Sequence, residues 1–213
     1  MPEATSQEKQ MSSKDTKERI LQAALAEFCD HGYAGANIAR IVASAACNVR
    51  MIYHYYDNKD GLYRACLERV YAELRESEDK LHFWDSAPSE GIAQLTRFTF
   101  DYMWNNPQFP RMMLNENLNE GRFVREITSV NSRSRPLLEH IGLLLERGVE
   151  TGEFKRRQKP LDVYLTILAL SFIHISNLHT LMATFSFDAR SPEFLHRRRD
   201  QAVDIVLAHL RGA

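Results

Sequence analysis

Apolar residues recur every three to four positions along most of the chain, which is the period of an amphipathic α-helix. Alternating apolar and polar residues, typical of strands, never extend beyond a few positions. Gly and Pro lie where the helical stretches stop, as at Gly32, Pro107, Gly121 and Gly152. The pattern therefore predicts an all-α protein.

The predicted helices form a group of short ones followed by longer ones. The first begins at Ser12 or Ser13 and stops at His31-Gly32, where Gly can take the left-handed cap conformation. Two short helices at 38–45 and 49–56 need the surfaces of their neighbours to be stable. The next helix begins at a cap, Asp57, and continues to about Trp84. Longer helices are predicted at 88–105, 107–119, 123–151 with a break expected before Pro136, 160–186 and 192–211.

Two short helices joined by a tight turn are typical of a helix-turn-helix, which lays its second helix in the DNA major groove. We therefore predict an N-terminal three-helix DNA-binding domain at 14–74, preceded by a disordered arm at 1–13. A C-terminal helical bundle at 75–213 follows. Within the second short helix and its turn, Cys47, Ile52 and Tyr56 are spaced to point inward.

The other side chains of that second helix are left for the outside. Arg pairs bidentately with guanine and Asn with adenine, while tyrosine hydroxyls reach phosphates. Lys59 begins the next helix, where free backbone N–H groups favour a phosphate. The alternative is a small helical core in which the tyrosines only pack. The predicted outward residues are Asn48, Val49, Arg50, Met51, Tyr53, His54 and Tyr55.

Residues 16–73 resemble the DNA-binding domain of the tetracycline-repressor (TetR) family of bacterial transcriptional regulators. The resemblance rests on an amphipathic helix ending in FCDHGY, then IARIVASAA, IYHYY and NKDGLY, each at the family's spacing. It implies that Tyr53 and Lys59 contact phosphates, and that Asn37 and Ile38 begin the helix that abuts the DNA backbone. The residues that it implies face the bases are Val49, Arg50, Met51 and His54.

Three positions depart from the family pattern. Ala46 stands in the turn where Gly is usual, and Ala resists positive φ. Arg50 replaces a small Gly and could either specify a G·C pair or turn aside to a phosphate. Tyr55 replaces a common His. The operator contacts that are typical of the family therefore cannot all be assigned to the corresponding residues of this chain.

Charge adds modest support for a nucleic-acid partner. The whole chain has a formal net charge of -1. Residues 1–64 are balanced at eight cations and eight anions, but residues 35–64 hold four cations against two anions, a net +2. The positive charge thus lies in the segment expected to touch DNA, and specific contacts are expected to matter more than bulk attraction.

Residues 88–213 contain no catalytic motif such as GxSxG or HExxH. In the family that the chain resembles, this region binds an effector and forms a dimer. Leu161 to Phe187 is apolar nearly all round and is expected to be buried on more than one side. An apolar stripe on the last helix favours a two-fold four-helix interface, with packing inside one chain as the alternative. The stripe consists of Phe194, Leu195, Ala202, Val203, Val206 and Leu210.

A ligand pocket is expected among the middle helices, where aromatic and methionine side chains are frequent. Ordinary core packing is the alternative for each apolar residue. His174 and His179 interrupt an apolar helix and could hydrogen-bond a carboxylate or hydroxyl. Their i, i+5 spacing disfavours metal binding, because it does not place both side chains on one face. The predicted ligand-binding residues are Trp104, Arg111, Met112, Glu116, Asn117, His174, Asn177 and His179.

Cys29, Cys47 and Cys66 match neither a disulfide framework nor a common zinc site, so we predict a reducing cytoplasm. We expect no membrane span and no signal peptide, because no apolar stretch is long enough and MPEATSQEKQ has no apolar core. The predicted function is a homodimeric DNA-binding repressor, without catalytic residues, metal or cofactor, released from operator DNA by a small organic effector. The alternatives are a DNA-binding scaffold without an effector and, less favoured, a helical enzyme using the C-terminal pocket.

Overall fold

The computed structural model describes residues 6–212, with side chains described from residue 14. No strand occurs among these residues, and their helices confirm the predicted all-α fold. The α-helices are α1 (Ser6–Gly35), α2 (Ile38–Ser44), α3 (Val49–Tyr56), α4 (Lys59–Asp79), α5 (Pro88–Asn105), α6 (Gln108–Leu118), α7 (Thr128–Glu150), α8 (Pro160–Ser176), α9 (Leu178–Phe185) and α10 (Pro192–Arg211). Short 3₁₀ helices lie at Phe83–Asp85 and Val124–Glu126.

The first helix differs from the prediction at its start and in the conformation at its end. α1 begins at Ser6, not at a cap on Ser12 or Ser13, so residues 6–13 are helical where a disordered arm was expected. Residues 6–15 contain neither Gly nor Pro to stop the helix. The rest of the expected arm, residues 1–5, lies outside the described residues. At its predicted end α1 is kinked at Gly32, whose φ of 66° and ψ of 176° form an extended, positive-φ conformation open to glycine instead of the left-handed cap expected there.

The helix after α3 is shorter than predicted at both ends. Asp57, with a φ of 62°, ends α3 instead of capping α4. The cap is Asn58, whose side-chain oxygen accepts from the Gly61 N–H at 2.9 Å. α4 ends at Asp79, since His82 takes a left-handed φ of 47° and the aromatic residues up to Trp84 form a separate turn.

Two long predicted helices are each divided. The helix expected at 123–151 breaks at Ile127, and Pro136 lies inside α7 instead of ending a helix. The helix expected at 160–186 bends by 69° at Asn177, between α8 and α9. Among the described residues no single helix is long and apolar enough to span a membrane, and α8 with α9 reaches that length only across the bend.

The chain forms two compact units, and neither is continuous in sequence. Unit 1 combines residues up to Tyr71 with Arg111–Thr128, which we call the return segment. Unit 2 combines Ala72–Pro110 with the residues from Ser129 onward. The predicted domains, 14–74 and 75–213, are continuous, and the units differ from them because the return segment packs with the N-terminal helices.

The core of unit 1 contains a cluster of aromatic rings. The ring of Phe123, in the return segment, lies 4.6 Å from that of Tyr33 and 4.9 Å from that of Tyr63. Tyr63 in turn lies 4.8 Å from Phe28 in an edge-to-face arrangement. Each such pair adds about 0.5–1.5 kcal/mol beyond simple burial. The return segment is therefore an integral part of this core.

Polar contacts also fix the return segment. Glu116 is only 4% exposed and accepts hydrogen bonds from the backbone N–H groups of Phe123, at 2.7 Å, and Val124, at 2.9 Å. The Asn115 amide donates to the carbonyl of Phe28 at 2.8 Å. Ion pairs join Arg111 to Asp30, Arg122 to Asp60 and Arg64 to Glu126.

Unit 2 has an aliphatic core contributed mainly by α5, α7, α8 and α10. Gly148 allows close packing there, because a Cβ at this position would lie 2.1 Å from the Phe154 ring. On α10 the predicted interface stripe is wrong in part, since four of its residues are buried within the chain's own core. These are Ala202, Val203, Val206 and Leu210, whereas Phe194 and Leu195 are half-buried.

The turn between α2 and α3 carries the backbone strain predicted for it. Ala46 has a φ of 47° and an exposed side chain. For a residue with a Cβ, this region costs about 1–2 kcal/mol.

We expect Ala46→Gly to raise the free energy of unfolding by about 0.5–1 kcal/mol, because the relief of strain exceeds the extra unfolded-state entropy of Gly. Thermal denaturation should show a rise in Tm of about 2–4 °C. The control is Ala45→Gly, which should lower Tm, since Ala45 is buried and has a helical φ of -76°. An unchanged or lower Tm for Ala46→Gly would contradict the strain.

Candidate nucleic-acid interface

Unit 1 buries one side of each short helix. Ile41 of α2 and Ile52 of α3 are fully buried, and Tyr56 is 7% exposed. The Tyr56 hydroxyl donates to the carbonyl of Lys17 at 2.9 Å, which ties the end of α3 to α1. Ile52 and Tyr56 thus point inward as predicted, and Cys47 is half-buried. Fixing this face leaves the opposite face of α3 outward.

The outward face of α3 gathers the predicted base-contacting side chains. Val49 is 42% exposed and Tyr53 is 53% exposed, although both are large and partly apolar. A helix that leaves such side chains in solvent offers a surface to a partner. The exposed members are Asn48, Val49, Arg50, Tyr53 and His54, and the half-buried ones are Met51 and Tyr55.

Two predicted DNA-contacting residues cap the short helices. The side-chain oxygen of Asn37 accepts from the N–H of Ala39 at 2.7 Å, next to Ile38 at the start of α2. The oxygen of Asn48 accepts from the N–H of Arg50 at 2.9 Å. Such caps are worth about 1 kcal/mol each. The amide nitrogens are not needed for capping, so Asn48 can cap α3 and donate to DNA at once.

Lys59 is positioned by contacts at the start of α4. Its Nζ donates to the carbonyl of Ala36 at 2.7 Å and lies 4.9 Å from the centre of the Tyr33 ring. The Tyr33 hydroxyl donates to Asp60, and burial is the main cause that raises the Tyr33 pKa. An ammonium has three donors. Lys59 can therefore bind a phosphate oxygen and keep its bond to Ala36.

One ion pair that supports α2 was not predicted from the sequence. Oε1 of Glu27 accepts from the backbone N–H of Asn37 and from Nε of Arg40, both at 2.8 Å. Arg40 also donates to the carbonyl of Gly35 at 2.8 Å. The hydrogen bond from Arg40 is the main cause that lowers the Glu27 pKa. Glu27 and Arg40 lie in different helices, so no helical spacing in the sequence indicates the pair.

The predicted ligand-binding residues belong to both compact units. Four belong to the return segment in unit 1, where three have structural partners. Arg111 pairs with Asp30 at 2.7 Å, Glu116 caps the following turn, and Asn117 donates to the backbone of its own helix. The four are Arg111, Met112, Glu116 and Asn117, and Met112 is fully buried.

The other four lie in unit 2, where only two come together. Trp104 and His174 have nearly parallel rings, with centroids 6.5 Å apart. Asn177 and His179 are exposed, and the Asn177 amide donates to the Ser176 hydroxyl at 2.8 Å. A cavity of about 220 Å³ lies elsewhere in unit 2, between α7 and the start of α8, and none of these residues lines it. Within residues 14–212, no group of three or more His, Cys, Asp or Glu could hold a metal ion.

The exposed, capped helix on a buried helical support defines a helix-turn-helix DNA-binding protein. Residues 20–66 match the family described as bacterial regulatory proteins, tetR family. Residues 88–206 match the tetracyclin repressor-like C-terminal domain. The chain belongs to the TetR family of bacterial transcriptional regulators, as the sequence predicted.

Individual relatives agree with this assignment. The chain is 31% identical over 173 residues to the HTH-type transcriptional repressor NicS of Pseudomonas putida. The aligned residues cover 81% of this chain and 82% of NicS. The FadR regulator of Bacillus subtilis, solved with stearoyl-CoA, has a TM-score of 0.65 and 15% identity, covering 90% of this chain and 98% of FadR. AibR, solved with isovaleryl coenzyme A and operator DNA, has a TM-score of 0.63 and 15% identity, covering 92% of this chain and 97% of AibR. The two structures support the fold, and the family together with the repressor relative confirms a DNA-binding transcriptional repressor.

We expect Asn48→Ala to lower the free energy of unfolding by about 1 kcal/mol, because the first turn of α3 loses its cap. Asn48→Ser should keep the wild-type stability, since a serine hydroxyl can accept the same N–H. Urea denaturation of the three proteins measures the difference. Equal midpoints for the Ala and Ser variants would contradict the capping role.

Proposed function

We propose that the protein acts as a homodimer that binds palindromic operator DNA through α3 and is released by a small organic effector bound by unit 2. The observation that carries the DNA-binding part is the outward face of α3, which holds the predicted base-contacting residues while Ile52 and Tyr56 bury the opposite face. Binding of operator DNA by a bacterial regulator would place the protein in the cytoplasm.

On this proposal, the contacts divide by position on the interface. Residues at the N-terminal end of a recognition helix contact base edges, and Arg50 lies in the first turn of α3. Its guanidinium would pair with the O6 and N7 atoms of a guanine, with neighbouring contacts from Met51 and His54. Tyr53 and Lys59 would bind phosphates, which fix the register of the helix on the duplex.

The proposed dimer uses an exposed apolar stripe of unit 2. Leu161, Leu165 and Ile173 on α8 are 50%, 52% and 45% exposed and lie at spacings of four, with the exposed Ala169 between them. Ile205 on α10 is also 40% exposed. A continuous apolar stripe is unfavourable in water. Two copies related by a two-fold axis would bury it as a four-helix interface and present two α3 helices to two half-sites.

The proposed release works through the chain connections between the units. The return segment enters unit 1 after Pro110 and leaves it before Ser129, and α4 connects the units as well. An effector that favours another arrangement of unit 2 would therefore act on the segment that completes the core of unit 1. The effector can shift the equilibrium between the DNA-binding state and the released state by no more than the difference in its binding free energy for the two states.

Two structurally similar proteins support the proposal that this protein responds to a ligand. FadR was solved with stearoyl-CoA, and AibR was solved with both isovaleryl coenzyme A and operator DNA. A DNA-binding scaffold without an effector would instead keep its operator affinity in the presence of every small molecule tested.

We expect selection from random duplexes to enrich a palindrome. Arg50→Ala should relax the preference at one position of each half-site, at a cost of about 1–3 kcal/mol for the preferred base. Lys59→Ala should weaken binding to all sequences alike and reduce the salt dependence by about one ion per contact. Arg156→Ala, which removes an exposed cation of unit 2, serves as the control. It should change neither the base preference nor the salt dependence of binding. No enriched sequence would refute the proposed operator recognition.

We expect Leu165→Arg to produce a monomer in sedimentation velocity, because two guanidinium groups cannot be buried in the proposed interface. Cooperative binding to the full palindrome should disappear with the dimer. Leu143→Arg is the matched control, since Leu143 on α7 is 53% exposed but lies outside the stripe. A dimeric Leu165→Arg protein would place the interface elsewhere.

A further inference from the structure

Two polar side chains of α8 lie deep in unit 2. Ser171 is fully buried and His174 is 2% exposed, and their spacing of three places them on one face of the helix. Aromatic residues surround His174. Its ring stacks on Phe100 at 4.5 Å with an interplanar angle of 18°, and Trp104 and Phe194 lie at 6.5 and 6.3 Å.

Within the described residues, three polar atoms of this pair have no hydrogen-bond partner. They are Oγ of Ser171 and both ring nitrogens of His174. Buried polar atoms are normally paired, because an unpaired one loses the hydrogen bond that it made in water.

The neighbouring helix shows what paired hydroxyls look like in the same interior. Thr96 and Thr99 of α5 are as buried as Ser171, and their hydroxyls donate to the carbonyls four residues earlier, Ile92 at 2.7 Å and Leu95 at 2.8 Å. Ser171 does not use the equivalent partner on its own helix. Its hydroxyl, like the ring nitrogens of His174, therefore lacks the partner that a third group would supply.

The chemistry of His174 restricts what that group can be. Burial, with a smaller effect from Arg198, lowers the pKa of His174 to about 4. At neutral pH the ring is uncharged, with one nitrogen that donates and one that accepts. The Arg198 guanidinium makes no hydrogen bond to the ring, since neither nitrogen of His174 has a partner within the described residues. An anion at the ring edge would lose its hydration without a cation in hydrogen-bond contact.

We infer that Ser171 and His174 form the polar end of an effector site in unit 2 for an uncharged, flat aromatic molecule with a group that both donates and accepts hydrogen bonds. This rests on the proposed ligand-responsive function and names its ligand class. A phenol or a carboxamide on an aromatic ring fits, since its polar group would pair with the Ser171 hydroxyl and one nitrogen of the His174 ring, and its ring would pack with Phe100 and Trp104.

The first test needs no ligand. In the free protein, Ser171→Ala removes an unpaired hydroxyl and should raise Tm, whereas Thr99→Val removes a paired one at equal burial and should lower it. A fall in Tm for Ser171→Ala would overturn the inference, because it would mean that the hydroxyl already has a stabilising partner in the free protein.

The second test uses three probes of similar size: benzamide, benzoate and toluene. We expect benzamide to shift the ¹⁵N resonances of the His174 ring saturably, and its affinity to fall about tenfold or more in Ser171→Ala and His174→Phe. His209→Phe, at an exposed histidine of α10 in the same unit, should bind benzamide like the wild type. Toluene, which lacks the polar group, and benzoate, which is charged, should bind at least about tenfold more weakly.

Each contrary result identifies what is wrong. Benzoate binding more tightly than benzamide would overturn the uncharged class, and unchanged benzamide binding in His174→Phe would overturn the site. If a preparation binds its selected operator but does not bind benzamide, this inference is wrong and the proposed DNA recognition is unaffected. Failure of the same preparation to select any operator would refute the proposed function, whatever the probes do.

Discussion

A buried carboxylate fixes the loop on which the core of unit 1 depends. Glu116 accepts from two consecutive N–H groups, so the chain after α6 folds back tightly and places Phe123 against both Tyr33 and Tyr63. Tyr33 also contacts the ammonium of Lys59. The Lys59 end of the candidate interface is thus supported by residues that come from far along the chain, and its geometry depends on that loop.

The helices of the interface depend on both local and tertiary contacts. Asparagine caps begin α2 and α3, while Ile52 and Tyr56 hold α3 against the support. Ala46 makes the turn at a cost in backbone strain. In unit 2 the unpaired atoms of Ser171 and His174 are a second unfavourable feature. Strain and unpaired polar groups tend to occur where a protein binds something, and here they lie at the helix-turn-helix and in the interior of the other unit.

Local signals predicted much of this fold. Glycine, proline and capping residues indicated the ends of α2, α3, α5 and α10 within about two residues, and the spacing of Ile52 and Tyr56 indicated the buried side of α3. Tertiary contacts left no such signal. Arg111 meets Asp30 from far along the chain, and the apolar run around Asn177 gives no sign of its bend. The predicted ligand-binding residues were therefore divided between two units, because the sequence around each residue does not show which distant residues it contacts.

The discontinuity of unit 1 limits how its parts can be exchanged. A fragment ending near residue 74 would lack Phe123 and Glu116 and would expose to water the sides of the Tyr33 and Tyr63 rings that Phe123 contacts. A chimera that grafts this helix-turn-helix onto another sensor by a single junction would inherit the same exposed aromatic surface. A transplant that keeps the unit intact needs three junctions, near residues 71, 110 and 128, so that the return segment travels with the helices it covers.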